Sequence, residues 1–182
     1  MNATAEDAIH DWVRLASGLA AEKIVWEGRH PYPTGTWILM RVDAGGGFGR
    51  PWVDRAAAAD DNVQYTARWL RRATLQLQCI AGAEGGEASC IAVLEQVIGK
   101  RYLPSFAEPL KLAGVGILAE GAVEWRQASR GSVFEPRAVV DIFLTLPSEV
   151  SELGPAIKHV EVEGNVGFGD ETTWVPDAPV ET

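Results

Sequence analysis

The sequence predicts an α+β fold. The expected form is a mostly antiparallel central sheet with two main helices on one face, a long arm between two strands, and an extended C-terminal tail. Three observations carry this. Hydrophobic periodicity runs in the order helix, strands, helix, strands. The clearest strands alternate apolar residues with polar ones, so one sheet face is meant for a core and the other is not. The chain has 182 residues, 47% of them hydrophobic, with no internal repeat or linker, which suits one core.

The elements follow in order. Thr4 and Asp7 form a capping box, and Ile9, Trp12, Val13, Ala16, Leu19 and Ala20 then recur at helical spacing, predicting a helix over Ala5 to Ala21. Ile24 to Glu27 is a short strand. Arg29, His30, Pro31, Tyr32 and Pro33 form a stiff extended turn, since prolines forbid helix there. Thr36 to Asp43 is the next strand. Ala44 to Asn62 is too long for a tight turn and too glycine-rich for a helix, and it reads as a protruding arm.

From Ala73 onward Leu75, Leu77 and Cys79 alternate with Thr74, Gln76 and Gln78. This predicts a half-buried strand with the three polar residues facing away from the helices. Glu87 to Ile98 is a second helix with Gly99 as its C-cap. The prolines of "LPSFAEPLKLAG" allow a short helical turn. "VGILAEG" and "AVEWRQA" are short strands, Pro136 to Leu146 is a clear one, and "IKHVEVEG" is a last, acidic one. Residues 1–163 form the domain. Residues 164–182 form an acidic tail that lacks Lys and Arg and cannot bury enough apolar area to fold alone.

Charge and composition exclude several functions. The net charge is −9, against the basic stripe expected of a nucleic-acid binder. "ARWLRR", with Arg68, Arg71, Arg72 and Trp69, is the one cationic cluster, and it reads as a strand edge paired with neighbouring carboxylates. The start of the chain has no signal-peptide core, and no apolar run approaches the ~20 residues of a membrane helix. Cys79 and Cys90 fit no metal spacing and read as buried free thiols.

No catalytic constellation emerges. His10, His30 and His159 stand apart, so no metal site is expected, and no cofactor motif occurs. "DAGGGFGR" is neither a dinucleotide fingerprint nor a P-loop. Arg29-His30-Pro31-Tyr32-Pro33 combines Arg with Tyr on a stiff loop without catalytic partners, and it reads as a contact loop. Tryptophans at strand ends and in loops, Trp52 and Trp174 among them, suit interface anchors.

Three segments, taken in order and spacing, resemble one family. "IVWEGRHPYPTGTWILMRV", "RRATLQLQCIAGAEGGEASCIAVLEQVI" and "FEPRAVVDIFLTL" resemble successive parts of bacteriophage neck and tail terminator proteins, the tail-completion, head–tail joining class. The match spans most of Ala5 to Gly164, outside the Ala44 to Asn62 arm. The resemblance implies a structural virion protein, not an enzyme. It implies a ring, usually six-fold, that caps the tail tube and joins it to the head connector. DNA would cross the lumen without specific binding, and a sheath would be a further neighbour in contractile tails. The place implied is the virion neck, assembled in the host cytoplasm.

On this reading Arg29, His30, Tyr32, Phe48, Arg50, Trp52, Arg71, Arg72 and Trp174 contact subunits or partners. Thr74, Gln76 and Gln78 face the lumen or a neighbour. Two alternatives stay open: another virion joint, such as a connector adaptor or baseplate tube-end protein, and a small α+β enzyme binding a phosphorylated or acidic ligand at Gly45 to Arg50.

Overall fold

The computed structural model describes residues 3–29, 32–58, 62–81, 87–130 and 133–155. It is an α+β fold: helices α1 (Ala3–Ser17), α2 (Glu87–Lys100) and α3 (Pro104–Leu112) pack on one face of a mixed sheet. The strands are β1 (Ile24–Trp26), β2 (Trp37–Ala57), β3 (Asn62–Ile80), β4 (Gly116–Glu120), β5 (Glu124–Arg130) and β6 (Val133–Pro155). Their order is β1-β2-β3-β6-β4, with β5 also pairing β6. Among the described residues only β1 runs parallel to its neighbour, and the other pairings are antiparallel.

Alternation builds the core. Ile38 and Met40 of β2, Leu75, Leu77 and Cys79 of β3, and Ala138, Val140, Ile142 and Leu144 of β6 all turn to one face. Ile9, Trp12 and Val13 of α1, Cys90, Leu94 and Val97 of α2, and Leu110 of α3 close over them. Such burial is the dominant stabilising term, roughly 1.5–3 kcal/mol per large side chain. The alternation of β3 therefore fixes the register as expected, and Thr74, Gln76 and Gln78 lie on the face opposite the helices.

Several boundaries differ from expectation. Helix α1 begins at Ala3, just ahead of the Thr4 expected to cap it, and ends at Ser17 rather than Ala21. Gly18 stops it by adopting φ 72°, a conformation that L side chains resist, and its N–H donates to the Arg14 carbonyl at 3.1 Å. Gly99 lies inside α2 rather than capping it. The proline-flanked turn is a nine-residue helix, because Pro104 occupies the first turn where no N–H partner is needed and Leu110 anchors the last turn in the core.

The largest difference concerns the arm. It projects from the domain between strands, but it is itself strand. β2 continues to Ala57, β3 starts at Asn62, and β6 runs on to Pro155, so the arm is a three-stranded antiparallel ribbon. The expected strand at "IKHVEVEG" and the tail 164–182 lie outside the described residues.

Candidate functional site

Two surfaces gather the residues singled out above: the helix-free face of the sheet and the arm.

On the helix-free face, cross-strand rows bring polar groups together. Leu39, Gln78 and Val139 form one row, and Arg41, Gln76 and Asp141 the next. Arg137 Nη1 donates to Gln78 Oε1 at 2.9 Å, Gln78 Nε2 to Gln76 Oε1 at 2.6 Å, and Gln76 Nε2 to Asp141 Oδ1 at 2.9 Å. The result is a hydrogen-bonded chain running diagonally across three rows. Arg41 flanks it, bonded to Asp43 at 3.0 Å and facing Glu27 at 3.6 Å. Arg126 pairs with Glu124 on the other side. Arg41 and Arg126 each pair with a carboxylate and Asp141 is held by Gln76, so this face is polar and hydrogen-bonded. Thr74 stands in the next row, between Asp43 and the exposed Phe143.

Tyr32 lies at one end of that face. It stacks on Trp37 with ring centroids 5.2 Å apart, beside Leu39 and Ile80 in a small second apolar cluster. Packing of the Tyr32 ring thus ties the proline turn to the sheet. Arg29 instead reaches α1, with Nη2 2.8 Å from Glu6 Oε2. His30 lies outside the described residues, as does Trp174.

The arm carries the rest. Phe48 of β2 pairs with Leu70 of β3, and two irregularities bracket it. The first falls between Ala44 and Gly47, where a Cβ on Gly45 would meet the Arg72 carbonyl oxygen at 3.0 Å. The second falls between Phe48 and Trp52, where Gly49 adopts φ 78°. The glycines of Gly45 to Arg50 therefore serve strand bulges, and strand rather than helix follows them.

Beyond the bulges the rows are regular. In the Trp52–Arg68–Glu149 row Arg68 bridges both neighbours: Nη1 lies 2.5 Å from Asp54 Oδ2 and Nε 3.0 Å from Glu149 Oε2. The bond to Glu149, followed by the charge of Asp54, raises the Arg68 pKa further above its ordinary value. Arg68 of the cationic cluster is thus neutralised by neighbouring carboxylates, as expected, but the strand that carries the cluster is not the expected edge: β3 is paired on both sides by β2 and β6. Arg71 lies on the opposite face, in a groove with Trp69, Leu146 and Ala5 of α1. Arg72 is exposed beside the first bulge.

Among the described residues, four of the ten exposed large apolar side chains lie on the arm, and three more, Tyr102, Leu103 and Leu112, lie at the ends of α3. Trp52 is 49% exposed, Val53 56%, Val150 60% and Leu153 68%. Sequence reasoning named Trp52 but missed Val53, Val150 and Leu153. Laid side by side, the three strands put Val53 level with Val150 on one face and Trp52 and Leu153 on the other, a placement that no single strand reveals.

Cys79 and Cys90 are free and buried, as expected. They face each other between β3 and α2, and the contact with Cys90 together with burial pushes the Cys79 thiol up. Among the described residues no cluster of His, Cys, Asp or Glu is placed to hold a metal, and no helix is long and apolar enough to cross a membrane.

No protein-family model matches the chain, and no curated protein matches it. Among solved structures, one bearing only a serial designation is similar over 79% of this chain and 90% of its own, at 17% identity and a TM-score of 0.37.

Proposed function

We propose that the chain is a structural virion protein of the phage neck, a ring-forming tail terminator that caps the tail tube and joins it to the head connector. The observation that carries the reading is the arm. A three-stranded ribbon leaves Trp52 half-exposed and Val53, Val150 and Leu153 largely uncovered by the described residues of its own subunit. Apolar residues gathered on a projection suit a surface covered by partners. The order of the three sequence segments supports the same reading independently.

Within it the remaining parts take roles. The helix-free face, with Thr74, Gln76 and Gln78, lines the lumen or meets a neighbouring subunit. Its arginines Arg41 and Arg126 are paired with carboxylates and the chain is net acidic, so a polyanion passes without capture. The tail tube protein, the head connector and, in contractile tails, the sheath are the partners. The site of action is the virion, reached by assembly in the host cytoplasm.

The test is genetic. Inactivating this gene in a phage that encodes it should give tail tubes of uncontrolled length that fail to join heads, with joining restored by the intact gene in trans. Tails of normal length joined to heads in the knockout would overturn the proposal.

A further inference from the structure

Among the described residues the arm is a sheet with two open edges. β2 pairs with β1 only over Ile38 to Met40, so its outer edge has no partner among the described residues from Arg41 onward. β5 and β4 cover β6 only as far as Thr145, so its outer edge is likewise open from Leu146 to Pro155. Unpaired strand edges are templates for another strand.

The two edges match. Trp52 to Ala57 and Glu149 to Gly154 stand level across β3, from the Trp52–Arg68–Glu149 row to the Ala57–Val63–Gly154 row. Prolines bound both windows: Pro51 precedes the first, and Pro147 and Pro155 flank the second. Proline blocks pairing where it stands and leaves the interval between available. The edges also differ in charge. The β2 side carries Arg50 and Arg55, neither with an ion-pair partner among the described residues, while Asp54 is engaged by Arg68. The β6 side carries Glu149 and Glu152 and no cation, and Glu152 has no ion-pair partner among the described residues. Arg55, whose guanidinium lies over the Tyr65 ring at 5.6 Å, and Glu152 share a row but do not pair within the subunit, with β3 between them.

We infer that the occupant is a second copy of this chain: the β2 edge of one arm, Trp52 to Ala57, adds to the β6 edge of the next, Glu149 to Gly154. The contact is head-to-tail, since the two edges are different surfaces, and head-to-tail contacts close into rings when the rotation allows. Its sense follows from the topology. β2 and β6 both run antiparallel to β3, hence parallel to each other, so rotationally related copies meet in a parallel ladder. Main-chain hydrogen bonds supply affinity, and Arg55 opposite Glu152 selects this pairing over like edges. The inference rests on the self-association in the proposed function, but not on the virion role.

The experiment uses the full chain. Ala56→Cys and Leu153→Cys variants are mixed, treated with a short bis-maleimide, and resolved by mass, with the parent chain as control because Cys79 and Cys90 are buried. Light scattering records whether assemblies are present. The expected result is A56C–L153C cross-linked pairs in the mixture and none in either variant alone. In parallel, Arg55→Glu should reduce the assembled fraction about fivefold and Glu152→Arg added to it should restore assembly. A56C pairs formed alone would mean that like edges meet, which overturns the inference. Assemblies that form without any A56C–L153C product, or that ignore the R55E reversal, would overturn it while leaving ring formation standing. A chain that stays monomeric at every concentration would remove both.

Discussion

Gln78 shows how one residue holds the helix-free face together. It donates to Gln76 and accepts from Arg137, so it joins two arms of the hydrogen-bonded chain. Gln78→Ala leaves Gln76 and the half-buried Arg137 each short of a partner. The expected loss is about 1–2 kcal/mol of unfolding free energy, read from urea denaturation, with Gln76→Ala and Gln78→Ala less than additive. Additive losses would mean that the two glutamines act separately. Leu77, one position away and fully buried under the helices, sets the contrast. Leu77→Ala should cost about 2–5 kcal/mol, as cavity formation does. The thiols give a third check at this scale. A native chain should not react with a water-soluble disulfide reagent, because Cys79 and Cys90 are both fully buried, and both cysteines should react after unfolding.

At the scale of elements, legibility in the sequence tracked burial. Helix α2 and the inner parts of β3 and β6 were readable because half of their residues enter the core, which forces a period of 3.6 or 2. Leu75, Leu77 and Cys79 sufficed to place Gln76 and Gln78 on the open face. The arm was not readable as strand because neither of its faces is buried: Val53 and Val150 on one face and Leu153 on the other are isolated among Asp, Arg, Ser and Glu. The glycines of "AGGGFGR" read as loop, although they shape bulges within a strand. The same physics predicts the arm's dynamics. With few buried contacts, its backbone should exchange hydrogens fast in a free subunit and slowly in an assembly, while Leu75 to Cys79 stay protected in both. Equal protection of the arm in both states would show that it does not lie at a joint. Gly49→Ala should cost about 1–2 kcal/mol of stability, since φ 78° is unfavourable with a side chain, and a neutral result would mean that the bulge is not held in that form.

At the scale of the whole molecule, charge and assembly meet. One chain carries −9, so any ring multiplies a negative potential around its opening. Double-stranded DNA should therefore show no tight, salt-sensitive binding to the purified protein at low salt. Such binding would reassign Arg71 and Arg72 to a nucleic-acid contact. Removing residues 164–182 should leave the melting temperature nearly unchanged but weaken joining to neighbouring rings, with Trp174 as the anchor lost. A ring subunit should be visible by electron microscopy of the purified chain, alone and mixed with tail tubes from the phage that encodes it. The expected images show closed annular particles, free in solution or seated on tube ends. A chain that stays monomeric at every concentration and leaves the tube ends bare would contradict ring formation.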